Sequence, residues 1–162
     1  AGAGLGLALQ VAYQAVARPF IVQPLDGVIP HAQRHVFSVV PVPYFELTPV
    51  EFIGDDPVRL ALALLIAFGL AGFCEELLYR AYLLNRLQEL FGGGRVALAV
   101  AVVAQGLIFG LAHGYEVVGT AFLAISLGLV YLAAHRNLWL AVLCHGMYDA
   151  VAFVLIYYAN TR

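Results

Sequence analysis

Apolar runs of membrane-spanning length constrain this chain more than any other feature. A helix needs roughly 20 mainly apolar residues to cross the hydrocarbon core of a bilayer, where the backbone must satisfy its own hydrogen bonds. Four stretches meet that requirement, at about 58 to 84, 95 to 113, 117 to 134 and 138 to 158. A fifth, from Ala1 to Ala17, is shorter and reads as the end of a helix. The chain is 63% hydrophobic and 11% charged, whereas soluble domains are about half apolar and a quarter charged. The predicted fold class is therefore all-α: a polytopic transmembrane helix bundle of about four to five membrane helices with one long extramembrane loop.

The organisation follows from what separates the runs. Residues 18–57 form a polar, proline-bearing connection that includes "VVPVPYFELTPVEF". It is predicted as the long surface loop, with a short interfacial helix around Pro49 to Ile53 capped by Thr48. Its aromatics, Phe37, Tyr44, Phe45 and Phe52, suit a membrane interface. Asp55 and Asp56 before Pro57 signal a helix start, because acids favour the positive end of the dipole and proline is tolerated in the first turn. That helix is expected to run to about Leu90 and stop at "FGGGR". At 1.5 Å per residue it would be roughly 50 Å long, more than the hydrocarbon thickness, and its amphipathic end "LLNRLQELFG" supplies the protruding part. No internal repeat or linker breaks the pattern, so residues 1–162 are read as a single transmembrane helical domain, with 58–158 as its motif-bearing core. With Ala1 first and no basic stretch before the opening run, the chain reads as trimmed, its upstream helices missing, and not as carrying a signal peptide.

Charge and cysteine usage exclude several functions. All eight positive charges are arginines and the net charge is -2, so there is no basic patch for nucleic acid. Cys74 and Cys144 lie in separate apolar runs, which suggests neither a disulfide framework nor a CxxC metal site. A buried thiolate beside His145 would need a nearby cation, so both cysteines are read as small packing residues. Arg86, Arg95 and Arg136 in or near the short loops lean that side towards the cytoplasm. His31 and His35 are read as part of a solvated turn, Glu116 as solvated, and His135 with Arg136 as a helix end suited to the dipole.

The remaining ionisable residues stand where they are costly. Near the bilayer centre such a group costs roughly 2.5 to 3.5 kcal/mol on insertion scales, and it usually faces the bundle interior or a water-filled cavity. Glu75, Glu76, Arg80, His145 and Asp149 all lie in apolar runs, with His113 at the end of another. If the second and third runs form an antiparallel hairpin, Glu75 lies about 18 residues before the turn at Gly93 and His113 about 20 after it, so the two meet at similar depth. Glu76 and Arg80 are four apart and can pair along their helix, while Glu75, rotated by about 100°, is left free for a cavity. Phe109 with His113, and His145 with Asp149, repeat the four-residue spacing. Asp149 is expected to hold His145 in one tautomer, and Phe109 to keep the histidine end dry.

A carboxylate and two imidazoles around a small cavity can activate water for hydrolysis, bind a metal or relay protons. Hydrolysis needs a carboxylate base plus histidines to hold the water and the developing oxyanion. Glu75, His113, His145 and Asp149 are enough in number for zinc, but no HExxH occurs and ligands on separate helices offer no spacing test, so no cofactor is indicated.

Three motifs carry a resemblance. "EELLYR" (Glu75 to Arg80), "FGLAH" (Phe109 to His113) and "HGMYD" (His145 to Asp149) resemble, in order, the EExxxR, FxxxH and Hxxx(N/D) motifs of the CAAX protease and bacteriocin-processing (CPBP/ABI) family of intramembrane proteases. The resemblance implies a helical membrane peptidase in which Glu75 and His113 activate water, and His145 and Asp149 stabilise the oxyanion. Glu76 and Arg80 would complete the first motif and shape the site. Asp149 stands where better-known members have asparagine. The family has been discussed both as metal-dependent and as metal-free, and the metal-free form is expected here. The implied partners are membrane lipids and a membrane-anchored or peptide substrate. The alanine-rich, lysine-free composition points to a bacterial cytoplasmic (inner) membrane. Two other functions use the same residues. One is an accessory or scaffold subunit of a larger membrane complex, with the site unused. The other is a proton or ion carrier, which the lack of a duplicated half or paired broken helices disfavours.

Overall fold

Each helix starts and stops where the local chemistry of the sequence requires. The computed structural model describes residues 2–22, 49–113 and 117–162, and every element among them is helical. Helix α1 comprises Gly2–Ala12 and its continuation Tyr13–Val22. Helix α2 is the short Pro49–Ile53, followed by α3 (Pro57–Leu90), α4 (Gly94–Ala112), α5 (Val117–Ala133) and α6 (Leu138–Asn160). Helices α3, α4 and α6 are long and apolar enough to cross a membrane, and α5 is a shorter apolar helix of 17 residues. Much of the outer surface is apolar, with Leu65, Leu70, Leu90 and Val96 well exposed. Glu76, Arg80 and His145 are buried instead, while Arg59, Arg86, Glu89, Arg95 and Arg136 near the helix ends stay exposed, which is the pattern of a bundle solvated by lipid.

The N-terminus of α3 has the predicted cap. The Asp56 carboxylate accepts hydrogen bonds from the backbone N–H groups of Val58 and Arg59, at 2.8 and 3.4 Å, with Pro57 in the first turn. At the other end Gly92, Gly93 and Gly94 all adopt positive φ, between 73° and 91°. Side-chain-bearing residues rarely adopt that conformation, so the reversal into α4 depends on glycine. Helix α2 forms where it is predicted, with Ile53 buried and Gly54 accepting a hydrogen bond from Asn160 at the end of α6.

Two features depart from the sequence expectation. Residues 18–22 continue α1, so the connection predicted to begin at Arg18 starts beyond Val22. Helix α3 is not uniformly α-helical. Its hydrogen bonding widens to the i→i+5 pattern over Ala67–Glu75 and again over Leu77–Leu83. Gly69 and Gly72 lie in the first of these stretches and the second has no glycine; such irregular turns recur at functional sites. Glu75 and Arg80 lie in the two widened stretches and Glu76 between them. Thr48, Phe37, Tyr44, Phe45, His31, His35 and Glu116 lie outside the described residues.

His135 and Arg136 end α5 in left-handed backbone, at φ 54° and 63°. This conformation is costly for residues with a Cβ, and the Arg136 side chain compensates. Its guanidinium donates to Asn85 Oδ1 and, at 2.8 Å, to Gln88 Oε1, tying the end of α5 to the polar end of α3.

The helices close around two apolar clusters. Tyr13, Leu123, Leu127, Cys144 and Tyr148 join α1, α5 and α6, while Leu84, Ala101, Val102, Tyr131 and Ala141 join α3 to α6. Helix α1 packs directly on α6. A Cβ added to Gly6 would lie 2.3 Å from the Cys144 carbonyl oxygen and 2.9 Å from Met147 Cβ, whereas one on Gly4 meets nothing within 4 Å. Close backbone approach of this kind is how membrane helices associate without a hydrophobic driving force. Gly6→Ala is expected to destabilise the bundle by about 1–3 kcal/mol through overpacking. Gly4→Ala should leave stability unchanged or raise it, and thermal unfolding of the detergent-solubilised variants tests the contrast.

Candidate active site

The three helices of membrane-spanning length bring the polar motifs together. Glu75, Glu76 and Arg80 come from α3, Phe109 and His113 from the end of α4, and His145 and Asp149 from α6. At the centre is the fully buried Glu76 carboxylate. Its Oε1 lies 2.8 Å from Arg80 Nη1 and accepts a hydrogen bond from His145 Nδ1, also at 2.8 Å. One carboxylate oxygen thus joins a cation on its own helix to an imidazole from α6. A buried charge is costly unless it is paired, and here the pairing is through Oε1, while Glu76 Oε2 and Arg80 Nε have no hydrogen-bond partner among the described residues. Arg80, equally buried, donates through Nη2 to the Ala124 carbonyl of α5 at 3.1 Å and stands 5.2 Å above the centre of the Phe109 ring. The carbonyl of Ala124 also accepts from Gln105 Nε2 of α4 at 3.1 Å, so its two lone pairs hold two helices.

The histidines are oriented from behind. His113 Nδ1 lies 2.8 Å from the Phe109 carbonyl, which can only accept, so Nδ1 carries the proton and Nε2 is left with a lone pair. The His113 ring stacks on Phe109 with centroids 4.3 Å apart, and Tyr79 meets Phe109 edge-on at 4.7 Å. His145 donates from Nδ1 to Glu76. The partner expected from the sequence was Asp149, but its Oδ2 lies 3.5 Å from Nε2, on the other side of the ring. His145 is therefore held across the helix interface by Glu76, at the shorter distance, as well as along α6 by Asp149. The four-residue spacing brings Asp149 close to the ring, but the spacing of a single helix cannot report a stronger acceptor arriving from α3.

Glu75, His113, His145 and Asp149 all border one open cavity of about 890 Å³, lined by residues of all six helices. Glu75 makes no ion pair among the described residues, and its Oε2 is buried without a hydrogen-bond partner. It is thus the acid left over when Glu76 is committed to Arg80 and His145. Among the described residues no three of the histidines, cysteines and acids converge as metal ligands. The donor set does not fit a metal ion in this arrangement.

The family model described as type II CAAX prenyl endopeptidase Rce1-like matches residues 57–151. The chain belongs to that family. No curated protein and no solved structure matches the sequence. In this CAAX endopeptidase family member the matched region begins at Pro57, the first residue of α3, and ends two residues after Asp149, so it contains all three motifs, while α1 and α2 lie outside it. Family membership and the apolar helices make the chain an integral membrane protein of a protease family.

Gln105 escaped the motif-based reading of the sequence. It is fully buried, bonds the Ala124 and Val102 carbonyls, and is the one uncharged polar side chain within "AVVAQGLIFGLA". That isolation in an apolar run was the available signal. Arg80→Leu leaves Glu76 in the protein interior without its guanidinium partner and is expected to cost about 3–5 kcal/mol. The double variant Glu76→Gln, Arg80→Leu should recover part of that loss. Denaturant titration of both variants in the same detergent measures the difference.

Proposed function

We propose that this CAAX endopeptidase family member hydrolyses a peptide bond of a membrane-anchored substrate, with water activated by Glu75 and His113. The observation that carries this is the shared cavity, where the half-buried Glu75 carboxylate, its Oε2 without a hydrogen-bond partner among the described residues, stands among two backed imidazoles. A water in that cavity can donate one proton to Glu75 and the other towards the free Nε2 of His113, which orients its lone pair for attack. The water oxygen bonds to the substrate carbonyl carbon as Glu75 takes the proton, and the carbonyl oxygen becomes the oxyanion. His145 faces Glu76 through Nδ1–H, and this carboxylate supports the doubly protonated ring. Its Nε2–H is then a donor for the oxyanion. Asp149, 3.5 Å from that nitrogen, holds the ring's donor until the oxyanion forms. Glu75 then passes its proton to the leaving amine as the C–N bond breaks, and the products are an acid and an amine. Glu76 and Arg80 position His145 and do not touch the reacting atoms.

The test is turnover of an S-prenylated CAAX peptide by the purified protein in lipid nanodiscs. Glu75→Gln keeps the size of the side chain but cannot accept the proton, and kcat is expected to fall by about 10²- to 10⁴-fold with the helical circular dichroism unchanged. Undiminished turnover by that variant would exclude the mechanism. Hydrolysis is further expected to persist after dialysis against a chelator, and its loss with recovery on added zinc would assign the water to a metal.

A further inference from the structure

Helix α1 carries a polar stripe that the chemistry above does not use. Gln10, Gln14 and Arg18 recur at four-residue spacing in an otherwise apolar helix, and all three border the cavity that holds Glu75. Gln10 is only 3% exposed, and its Oε1 has no hydrogen-bond partner among the described residues. Leaving a buried carbonyl-type acceptor unsatisfied costs about 1–3 kcal/mol, a cost removed when a ligand supplies an N–H. Gln14 Oε1 accepts from Arg18 Nη1 at 3.1 Å, which steadies the guanidinium and leaves most of its donors available.

Charge gives this stripe a direction. Among the described residues lining the cavity, Arg18 is the one arginine or lysine, while Glu75 and Asp149 stand at the histidine cluster. An anionic group on a ligand is repelled from the two acids and drawn to Arg18, where a planar guanidinium can bind a carboxylate in two-point fashion. The wall between is apolar, formed on α6 by Ala152, Phe153 and Ile156. Gln10 and Arg18 are eight residues apart, at most about 12 Å along a helix. An extended peptide of three to four residues covers that distance at roughly 3.3–3.6 Å per residue.

We propose that the Gln10, Gln14 and Arg18 face of α1 is a substrate track: Arg18 binds the free C-terminal carboxylate of the peptide, and Gln10 accepts a backbone N–H nearer Glu75. The track rests on the peptidase function proposed above and adds to it a polarity. The substrate is a peptide with a free C-terminus, lying with that end at α1 and its upstream bond at Glu75. These residues precede the region matched by the family, so the selectivity they confer is separate from the three motifs.

The experiment measures binding and turnover separately. The probe is an S-prenylated CAAX peptide made as the free acid and as the C-terminal amide, with affinity read by fluorescence anisotropy on Glu75→Gln protein in phosphatidylcholine nanodiscs, which carry no anionic lipid. The acid is expected to bind about 10- to 100-fold more tightly than the amide, the range for a charge-assisted hydrogen bond. Adding Arg18→Gln should abolish that preference, and Arg18→Lys should restore part of it. Gln10→Leu should weaken both forms equally. Equal binding of acid and amide, or a preference that survives Arg18→Gln, overturns the proposal. A drop that Arg18→Gln imposes equally on both forms also overturns it, since the guanidinium then serves something other than the C-terminus. If the Arg18-dependent preference is found but the native chain turns over neither peptide, the track stands and the peptidase function falls. Turnover without the preference gives the reverse.

Discussion

The fold turns on one carboxylate oxygen. Glu76 Oε1 meets Arg80 along α3 and His145 across from α6, both at 2.8 Å, whereas the second acid near the imidazole, Asp149, lies further off at 3.5 Å. Charges at bilayer depth are admitted only where they neutralise one another, so this triad dictates that α3 and α6 cross where they do. The crossing in turn aims the second imidazole nitrogen and sets Glu75, one residue earlier, on the cavity wall. The pairing of one acid is thereby the condition for the freedom of its neighbour.

Helix α5 contributes no motif and yet anchors the group. The Ala124 carbonyl takes hydrogen bonds from Arg80 and Gln105, drawing α3 and α4 onto α5 through a backbone atom that any residue at that position would supply. Phe109 works similarly from α4. Its ring lies beneath the Arg80 guanidinium and against His113, while its carbonyl fixes the His113 tautomer. The polar layer is continuous from Gln105 to Asp149 by way of groups that belong to four helices.

Much of this was legible in the residues alone, for identifiable reasons. The apolar runs mark α3 to α6 because lipid forces the backbone into helices of a set length, and the Asp56 and Pro57 cap and the glycine reversal mark the ends of α3 because their backbone chemistry is local. Pairs four apart, such as Glu76 with Arg80 and Phe109 with His113, are legible because helical spacing is local too. The bond from Glu76 to His145 joins residues 69 positions apart, and no periodicity reports it. The widened turns of α3 were also hidden, because glycine-containing segments such as "AFGLAGFCE" suit ordinary α-helices in membranes as well. The stripe on α1 was visible as spacing, but its meaning depends on the cavity that α3 and α6 enclose opposite it.

The glycine reversal between α3 and α4 has a consequence for how this chain can vary. Three successive residues of positive φ connect the helices with almost no slack, so the angular position of every side chain on α4 is referred to α3. One residue gained or lost between Gly94 and Gln105 would swing Gln105, Phe109 and His113 about 100° around their axis, and every one of their contacts would turn towards lipid together. Length polymorphism in this part of the molecule is therefore confined to steps of about a whole helical turn, whereas individual side chains facing the acyl chains are free to drift.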